Sequence, residues 1–356
     1  MPKLTICIKV PKDQGERTIA LANKLELIDK SLGIQRDEGT LCIPLIRHPE
    51  ENELATLKNQ VPNYQLTTSV FTEKKPPAET LIQALEKTLP SHLLASLPQA
   101  LDIIGDIAII EVPPELKTYE NLIGEAILKT HRNIRTVLAK AGAISGTYRL
   151  REFTFIAGEH KTQTVHREFG CQYHVDIAKA YFSPRLSHEH QRVASLVQTG
   201  ETVVDLFAGV GPFSILIAKK NLKVKVYAVD INPEAVELLK VNVRVNRVEN
   251  RVFPLLGDAK QITSNKLHGL ADRVIMNLPE TAIEFVDAAC QAIKPQGGII
   301  HFYAFLRSPD SVENQKLRFS ETARKAGRKV ESFLYAKSIR ETAPYESQIV
   351  LDAKVA

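Results

Sequence analysis

From Thr202 onward, short apolar runs recur between helix-length segments: TVVDLF, VKVYAVDI, RVFPLLGDA, DRVIMNL and GGIIHFYAF. Runs that are apolar at nearly every position suit strands buried on both faces, and their alternation with helices predicts a parallel, doubly wound α/β sheet. Two further strand patterns, KVESFLYA and SQIVLDAKV, follow with no helix between them and predict a closing hairpin. The N-terminal part reads differently. Strand TICIKV, helix GERTIALANKLELI and strand GTLCIPLI make a small α+β unit that ends near residue 72. The stretch FTEKKPPAET, with two prolines and four charges, has the composition of an exposed linker. Residues 80–185 then alternate helical patterns (LIQALEKTLP, LIGEAILKTHRNIRTVLAKAG) with strand patterns (DIAIIEV, YRLREFTFIAG, TVHREFGCQYHVD), a second α+β unit. The expected division is 1–72, 80–185 and 186–356.

Composition adds little beyond this. A chain of 356 residues with 44% hydrophobic and 24% charged residues is ordinary globular material, long enough for two or three cores. Lys and Arg outnumber Asp and Glu by 46 to 41, which permits a polyanionic partner without demanding one. A helix over Asn121–Lys140 is expected to carry Lys129, Arg132 and Arg135 at three-residue steps, either as a solvated face or as a phosphate-contacting one. The four cysteines form no C-x-x-C pair, so neither zinc nor a disulfide framework is expected. No signal-like segment and no apolar run of roughly 18 residues is present, so a soluble protein of the reducing cytoplasm is expected.

Chemistry enters at DLFAGVGPF. The strand gives way to Gly209 and Gly211, which let the backbone turn tightly and a ligand approach before a helix starts near Pro212. A third glycine at the dinucleotide spacing is missing, as is the Lys-Ser or Lys-Thr of a phosphate loop, so NAD and ATP lose ground. Asp230, at the end of the next strand, can accept both ribose hydroxyls of an adenosine-containing ligand, and Asp258 in GDAK can accept from an adenine amino group. Each acid alone is equally suited to be a helix N-cap. Three successive strand ends carrying a Gly-rich turn, Asp and Asp favour S-adenosylmethionine. The candidate cofactor set is Asp205, Gly209, Gly211, Asp230, Ile231, Asp258, Ala259, His190 and Asn277.

The fourth strand ends in VIMNLPE, and with YFSPRLSHEHQRVASLV and GTYRLREFTFIAG it resembles the class I tRNA (guanine-N1)-methyltransferases of archaea and eukaryotes, in their archaeal form. The resemblance implies a Rossmann-like methyltransferase domain preceded by two smaller α+β domains, the first touching the outer corner of tRNA. It also implies methylation of N1 of the guanine 3′ of the anticodon. A monomer is expected, and no catalytic metal, because the sulfonium of the cofactor already supplies the leaving group. N1 of guanine bears a proton, so its methylation needs a base and a donor for the charge developing on O6. On the family pattern Glu189 is the candidate base and Arg149 the O6 donor. Asn277 would read the guanine edge, Pro279 would stiffen the turn, and Tyr181 and Arg185 would position the flipped nucleotide or its phosphates. His190 would contact the methionine end of the cofactor, and Arg132 and Arg135 would contact RNA. Ser187 reads as an N-cap, which places Glu189 in a first helical turn where the dipole favours the carboxylate and weakens it as a base. A dipole-satisfying glutamate is the competing role there. Two rival functions share these features: an aminocarboxypropyl transferase of wybutosine synthesis, and an inactive tRNA-binding module.

Overall fold

The computed structural model describes residues 2–37, 39–73, 80–98, 100–142 and 145–356. The chain divides into two compact units, 1–79 and 80–356. In the first, β1 (Pro2–Pro11) lies centrally between β3 (Thr40–Pro44) and β4 (Gln65–Thr72), with β2 (Gln35–Asp37) outside β3, all antiparallel. Helices α1 (Gly15–Lys24) and α2 (Glu51–Gln60) contribute Leu21, Ala22 and Leu57 to a core with Ile8, Val10 and Ile43. Helix α1 stops four residues before its apolar pattern does. Glu26 turns left-handed at φ 54°, and Leu27 N–H bonds back to the Ala22 carbonyl. Of the expected linker, residues 74–79 lie outside the described residues.

The second unit opens with two short helices, α3 (Leu81–Leu85) and α4 (Ser91–Leu94), followed by the sheet β5 (Asp102–Ile104), β6 (Ile107–Ile110), β7 (Thr136–Lys140) and β8 (Phe153–Gly158). Helix α5 (Glu120–Thr130) crosses over between the parallel pair β6 and β7. Gly124 lets it pack closely, since a Cβ there would lie 2.8 Å from that of Ala157 on β8. The long helix expected over 121–140 is therefore corrected. It ends at Thr130, and the buried, β-branched run from Thr136 is claimed by the sheet. Lys129 stays on α5, Arg132 and Arg135 sit exposed on the connecting loop, and Lys140 ends β7, so no single helix face gathers them. The strand pattern over 164–176 is likewise a hairpin of β9 (Gln163–Glu168) and β10 (Cys171–Asp176), turning through Phe169 and Gly170, both at positive φ.

After α6 (Ser187–Leu196) come β11 (Thr202–Asp205), α7 (Pro212–Lys220), β12 (Lys225–Asp230), α8 (Pro233–Val245), β13 (Val252–Leu256), α9 (Ala259–Ile262), β14 (Arg273–Met276), α10 (Val286–Ala292), β15 (Gly298–Arg307), α11 (Val312–Lys325), β16 (Val330–Ala343) and β17 (Glu346–Val355). Seven strands form one sheet in the order β13-β12-β11-β14-β15-β17-β16. Strands β11 to β15 are parallel, and β17 runs antiparallel between β15 and β16, so the expected hairpin closes the sheet. The strand order reverses between β11 and β14, which puts the ligand crevice at the carboxyl ends of those strands.

Two buried asparagines, Asn242 in α8 and Asn246 at its C-cap, join this sheet's helical layer to β10. Asn242 accepts from His174 N–H at 2.6 Å and donates to the His174 carbonyl at 3.1 Å, and Asn246 makes the same pair of bonds to Gln172 at 2.9 and 2.6 Å. Asn242 also donates to the Val210 carbonyl in the Gly-rich turn at 3.0 Å. Each buried backbone group stripped of its partner costs about 1–3 kcal/mol. Asn242→Leu is thus expected to destabilise the protein by at least about 2 kcal/mol, read as a lower urea midpoint at unchanged slope. An unchanged midpoint would show these bonds to be dispensable.

Candidate active site

The cavity at the sheet's carboxyl edge, about 370 Å³, is built from successive strand ends. After β11 the chain turns through Gly209 and Gly211, both at positive φ (55° and 92°), and enters α7 at Pro212. A side chain at Gly211 would collide with Leu239, its Cβ 2.3 Å from the Leu239 Cδ1. Asp230, ending β12, accepts Gly209 N–H at 2.7 Å and Asn232 N–H at 2.9 Å. Burial pushes its pKa up and those amide donors oppose the rise. Each carboxylate oxygen retains a further lone pair for a ligand hydroxyl. Ile231, Asp258 and Ala259 line the same cavity. Asp258 is also the N-cap of α9, accepting Gln261 N–H at 3.0 Å, so its two candidate roles coexist.

Asp205 is a correction to the candidate set. It is fully buried beneath the turn, accepts from the Ser214 hydroxyl at 2.8 Å and does not line the cavity. Burial, with the Asp230 charge adding to it, raises its pKa to about 7. Because this carboxyl holds its proton more tightly folded than unfolded, it costs stability as pH climbs from the ordinary carboxylate range to about 7. Its place is to brace the turn. His190 does line the cavity, its ring edge-on to Phe213 and its Nδ1 2.7 Å from Glu168 Oε1. Burial raises the pKa of Glu168, but the two neighbouring imidazoles, His166 at 3.8 Å and the hydrogen-bonded His190, outweigh it and bring the value to about 2.

Asn277, just past β14, lines the cavity and accepts from Gln348 Nε2 at 3.4 Å. Pro279 does not line it; its carbonyl instead accepts Phe305 N–H at 3.1 Å, fastening the turn to β15. Arg149 lies on a turn closed by Ser145 and Leu150, not on the strand its pattern predicted, and stands at φ 56°. A left-handed arginine costs about 1–2 kcal/mol. Its guanidinium is 3.2 Å from Glu280, stands 5.1 Å over the Tyr181 ring, and keeps a buried Nε–H with no partner among the described residues.

Arg149, Tyr181 and Glu280 also face a second cavity of about 520 Å³. The two differ in sign. Among the described residues, the first is lined by Asp230, Asp258, Glu280 and Glu284 against Arg149 alone, four acids to one base. The second is lined by Lys140, Arg149, Arg151, Arg185, Arg307 and Arg340 against Asp102, Glu280, Glu341 and Glu346, six bases to four acids. An acidic lining repels a pyrophosphate and suits a sulfonium cation, whereas the neighbouring cavity suits a phosphodiester. Arg185 reaches it while paired with Asp102, and Arg340 bonds to Ser183 and Gln348. Neither Arg132 nor Arg135 lines either cavity.

Glu189 lines neither cavity, although its neighbours Leu186 and His190 line the first. Its carboxylate, 6% exposed, accepts from Arg192 at 2.9–3.0 Å and from the Tyr303 hydroxyl at 2.9 Å. Ser187 is not an N-cap, because a 3-10 turn at Pro184–Leu186 leads into the helix and makes it the first helical residue. Glu189 remains in the first turn. Sequence reasoning missed Glu280, on both cavities, and Gln348, behind Asn277. Glu280 lies one residue beyond Pro279 in the quoted motif, so that signal was present, whereas Gln348 comes from β17 and left none.

A doubly wound sheet with one reversed strand, a Gly-x-Gly turn on its first strand and an acidic adenosine-sized cavity at the reversal of strand order define a class I S-adenosylmethionine-dependent methyltransferase. Residues 164–331 match the TRM5/TYW2 methyltransferase domain, 81–162 the TYW2 N-terminal domain and 7–53 the tRNA methyltransferase 5 N-terminal domain. The chain is 40% identical to the tRNA (guanine(37)-N(1))-methyltransferase Trm5b of Pyrococcus abyssi, over 99% of each chain. It is 36% identical to the Trm5b of Methanocaldococcus jannaschii, over 84% of this chain and 86% of that one. A solved complex of aTrm5 and tRNALeu superposes with TM-score 0.68 at 32% identity, covering 99% of this chain and 100% of that one. The chain belongs to the tRNA (guanine(37)-N1)-methyltransferase family.

Proposed function

We infer that the protein transfers a methyl group from S-adenosylmethionine to N1 of guanosine 37 in tRNA. The observation that carries this reading is the pair of adjoining cavities of opposite charge sharing Arg149 and Tyr181, one suited to a cationic cofactor and one to RNA. On this reading Asp230 holds the ribose of the cofactor, Ile231, Asp258 and Ala259 flank its adenine, and His190 meets its methionine end. S-adenosylmethionine supplies a methyl carbon already activated by a sulfonium leaving group. What remains for the chain is alignment and proton chemistry.

Arg149 donates to O6 of the guanine, and its unpartnered Nε–H is the support for that role. Asn277 reads the guanine edge from a turn stiffened by Pro279, while Tyr181 and Arg185 hold the nucleotide in the basic cavity. Arg132 and Arg135, exposed on their loop, contact RNA backbone farther out. Glu189 takes the N1 proton. Its place in the first turn of α6, between Leu186 and His190 that both line the first cavity, supports this, and Glu280, which faces both cavities, is the second reading. Residues 1–72, 80–185 and 186–356 act as tRNA-recognition, RNA-binding and methyltransferase parts. Four buried free thiols suit a reducing compartment, the cytoplasm.

The test is incubation with labelled S-adenosylmethionine and tRNA transcripts carrying G or A at position 37. Label is expected only with G, and label that ignores this base would overturn the assignment. A mass gain larger than one methyl would assign aminocarboxypropyl transfer instead.

A further inference from the structure

Behind Glu189 lies a chain of buried charges that the reaction just described does not use. Arg192, one helical turn along α6, grips Glu189 with its Nε and one terminal nitrogen. The same guanidinium grips Asp352 of β17 with both terminal nitrogens, at 2.5 and 3.2 Å. Glu189 and Asp352 are 6% and 2% exposed, so two buried carboxylates divide one cation between them.

The remaining neighbours do not relieve that shortage. His301 on β15 stands 2.8 Å from a terminal nitrogen of Arg273, which can only donate, so its Nε2 accepts and its Nδ1–H donates to Asp352 at 2.6 Å. That makes His301 neutral, in agreement with burial lowering its pKa. Arg273 is committed to Glu201 at 2.9 and 3.1 Å. Tyr303, also on β15, gives Glu189 a neutral donor, and burial keeps its proton on. The Tyr335 ring of β16 lies 4.4 Å from the Arg192 guanidinium, and His190 on α6 is turned to Glu168 instead.

We propose that Arg192 is the positioning residue for Glu189, and that Asp352 sets how tightly Arg192 holds it. The proposal rests on Glu189 being the base. To take a proton, its carboxylate has to exchange the Arg192 fork for the substrate, and the two bonds to Asp352 keep the guanidinium from following it. Each deletion then acts with its own sign. Without Arg192 the carboxylate loses its cation and protonates more readily, so the acid limb of the rate moves to higher pH. Without the Asp352 charge Arg192 belongs to Glu189 alone, and the limb moves to lower pH.

The experiment measures the single-turnover rate of methyl transfer to tRNA against pH for the full chain and for Arg192→Met, Asp352→Asn and Glu189→Gln. Thermal melting of each variant monitors folding. Displacement of the acid limb upward by about one pH unit in Arg192→Met, and downward in Asp352→Asn, is the expected result. Limbs that stay put, or that move the same way in Arg192→Met and Asp352→Asn, overturn the proposal, because a purely structural role lowers rates without displacing those two limbs in opposite directions. Should Asp352→Asn not fold, Tyr303→Phe replaces it. Loss of a neutral donor moves the limb upward by less than Arg192→Met does, and no movement again overturns the proposal. Full activity in Glu189→Gln would remove the base reading and this proposal together. An inactive Glu189→Gln with unmoved limbs in the others removes the proposal alone.

Discussion

Replacing Glu189 with glutamine is expected to lower the single-turnover rate of methyl transfer about 10²- to 10⁴-fold, the usual contribution of a positioned general base. The substitution keeps the volume and most hydrogen bonds of a buried side chain that Tyr303 and Arg192 hold on two sides. What it removes is the ability to accept a proton. The affinity for S-adenosylmethionine should change little, since Glu189 lines neither cavity. Glu280→Gln is the companion measurement. Glu280 is 3.2 Å from Arg149 and 46% exposed, so its loss should slow the reaction less than tenfold by the standards of an exposed pair. If Glu280→Gln abolishes transfer while Glu189→Gln is active, the base is Glu280.

Arg149→Ala is expected to cost about 10²- to 10³-fold in the same rate, the magnitude of losing one preorganised donor to a developing oxyanion. Three features of the site favour so large an effect. The side chain is 12% exposed, its backbone is held in a disfavoured left-handed conformation, and its buried Nε–H finds no protein partner among the described residues. Backbone strain and an unsatisfied donor are both costs to the free enzyme, of the kind that collects at functional sites. Arg149→Lys should recover little, because an ammonium cannot reproduce a planar fork that stands over Tyr181 and reaches Glu280 together. Recovery of more than a tenth of the rate by lysine would show that charge alone suffices at this position.

These two residues also mark how far the amino-acid sequence could be read. The inner strands of the large sheet were plain because they are buried on both faces and so are apolar at consecutive positions, as Arg273–Met276 and Lys225–Asp230 illustrate in their inner residues. The Gly209 and Gly211 turn and Asp230 were legible for a local reason: their chemistry is set by backbone conformation and strand ends. Reading failed where the partners are distant along the chain. Thr136–Lys140 has enough helical character to extend α5 on paper, and only pairing with β6 and β8 makes it a strand. The Phe169–Gly170 turn lacks the asparagine or aspartate that usually announces such a hairpin. Asp205 carries the motif yet sits under the loop, and the Arg192–Asp352 pair joins residues 160 positions apart.

The side-chain bonds between α8 and β10 depend on a coincidence of two repeats. Four residues of helix advance about 6 Å along the axis, and two residues of strand advance about 6.6 Å. Asn242 and Asn246 therefore meet His174 and Gln172 in step, as the rungs of a neighbouring strand would. The match lasts for one such interval and then drifts, so the helix can stand in for a strand at two positions and no more. It also means that an insertion or deletion between Asn242 and Asn246 would swing one amide about 100° around the helix, away from the strand it serves. That five-residue window at the C-terminal end of α8 is thereby closed to changes of length.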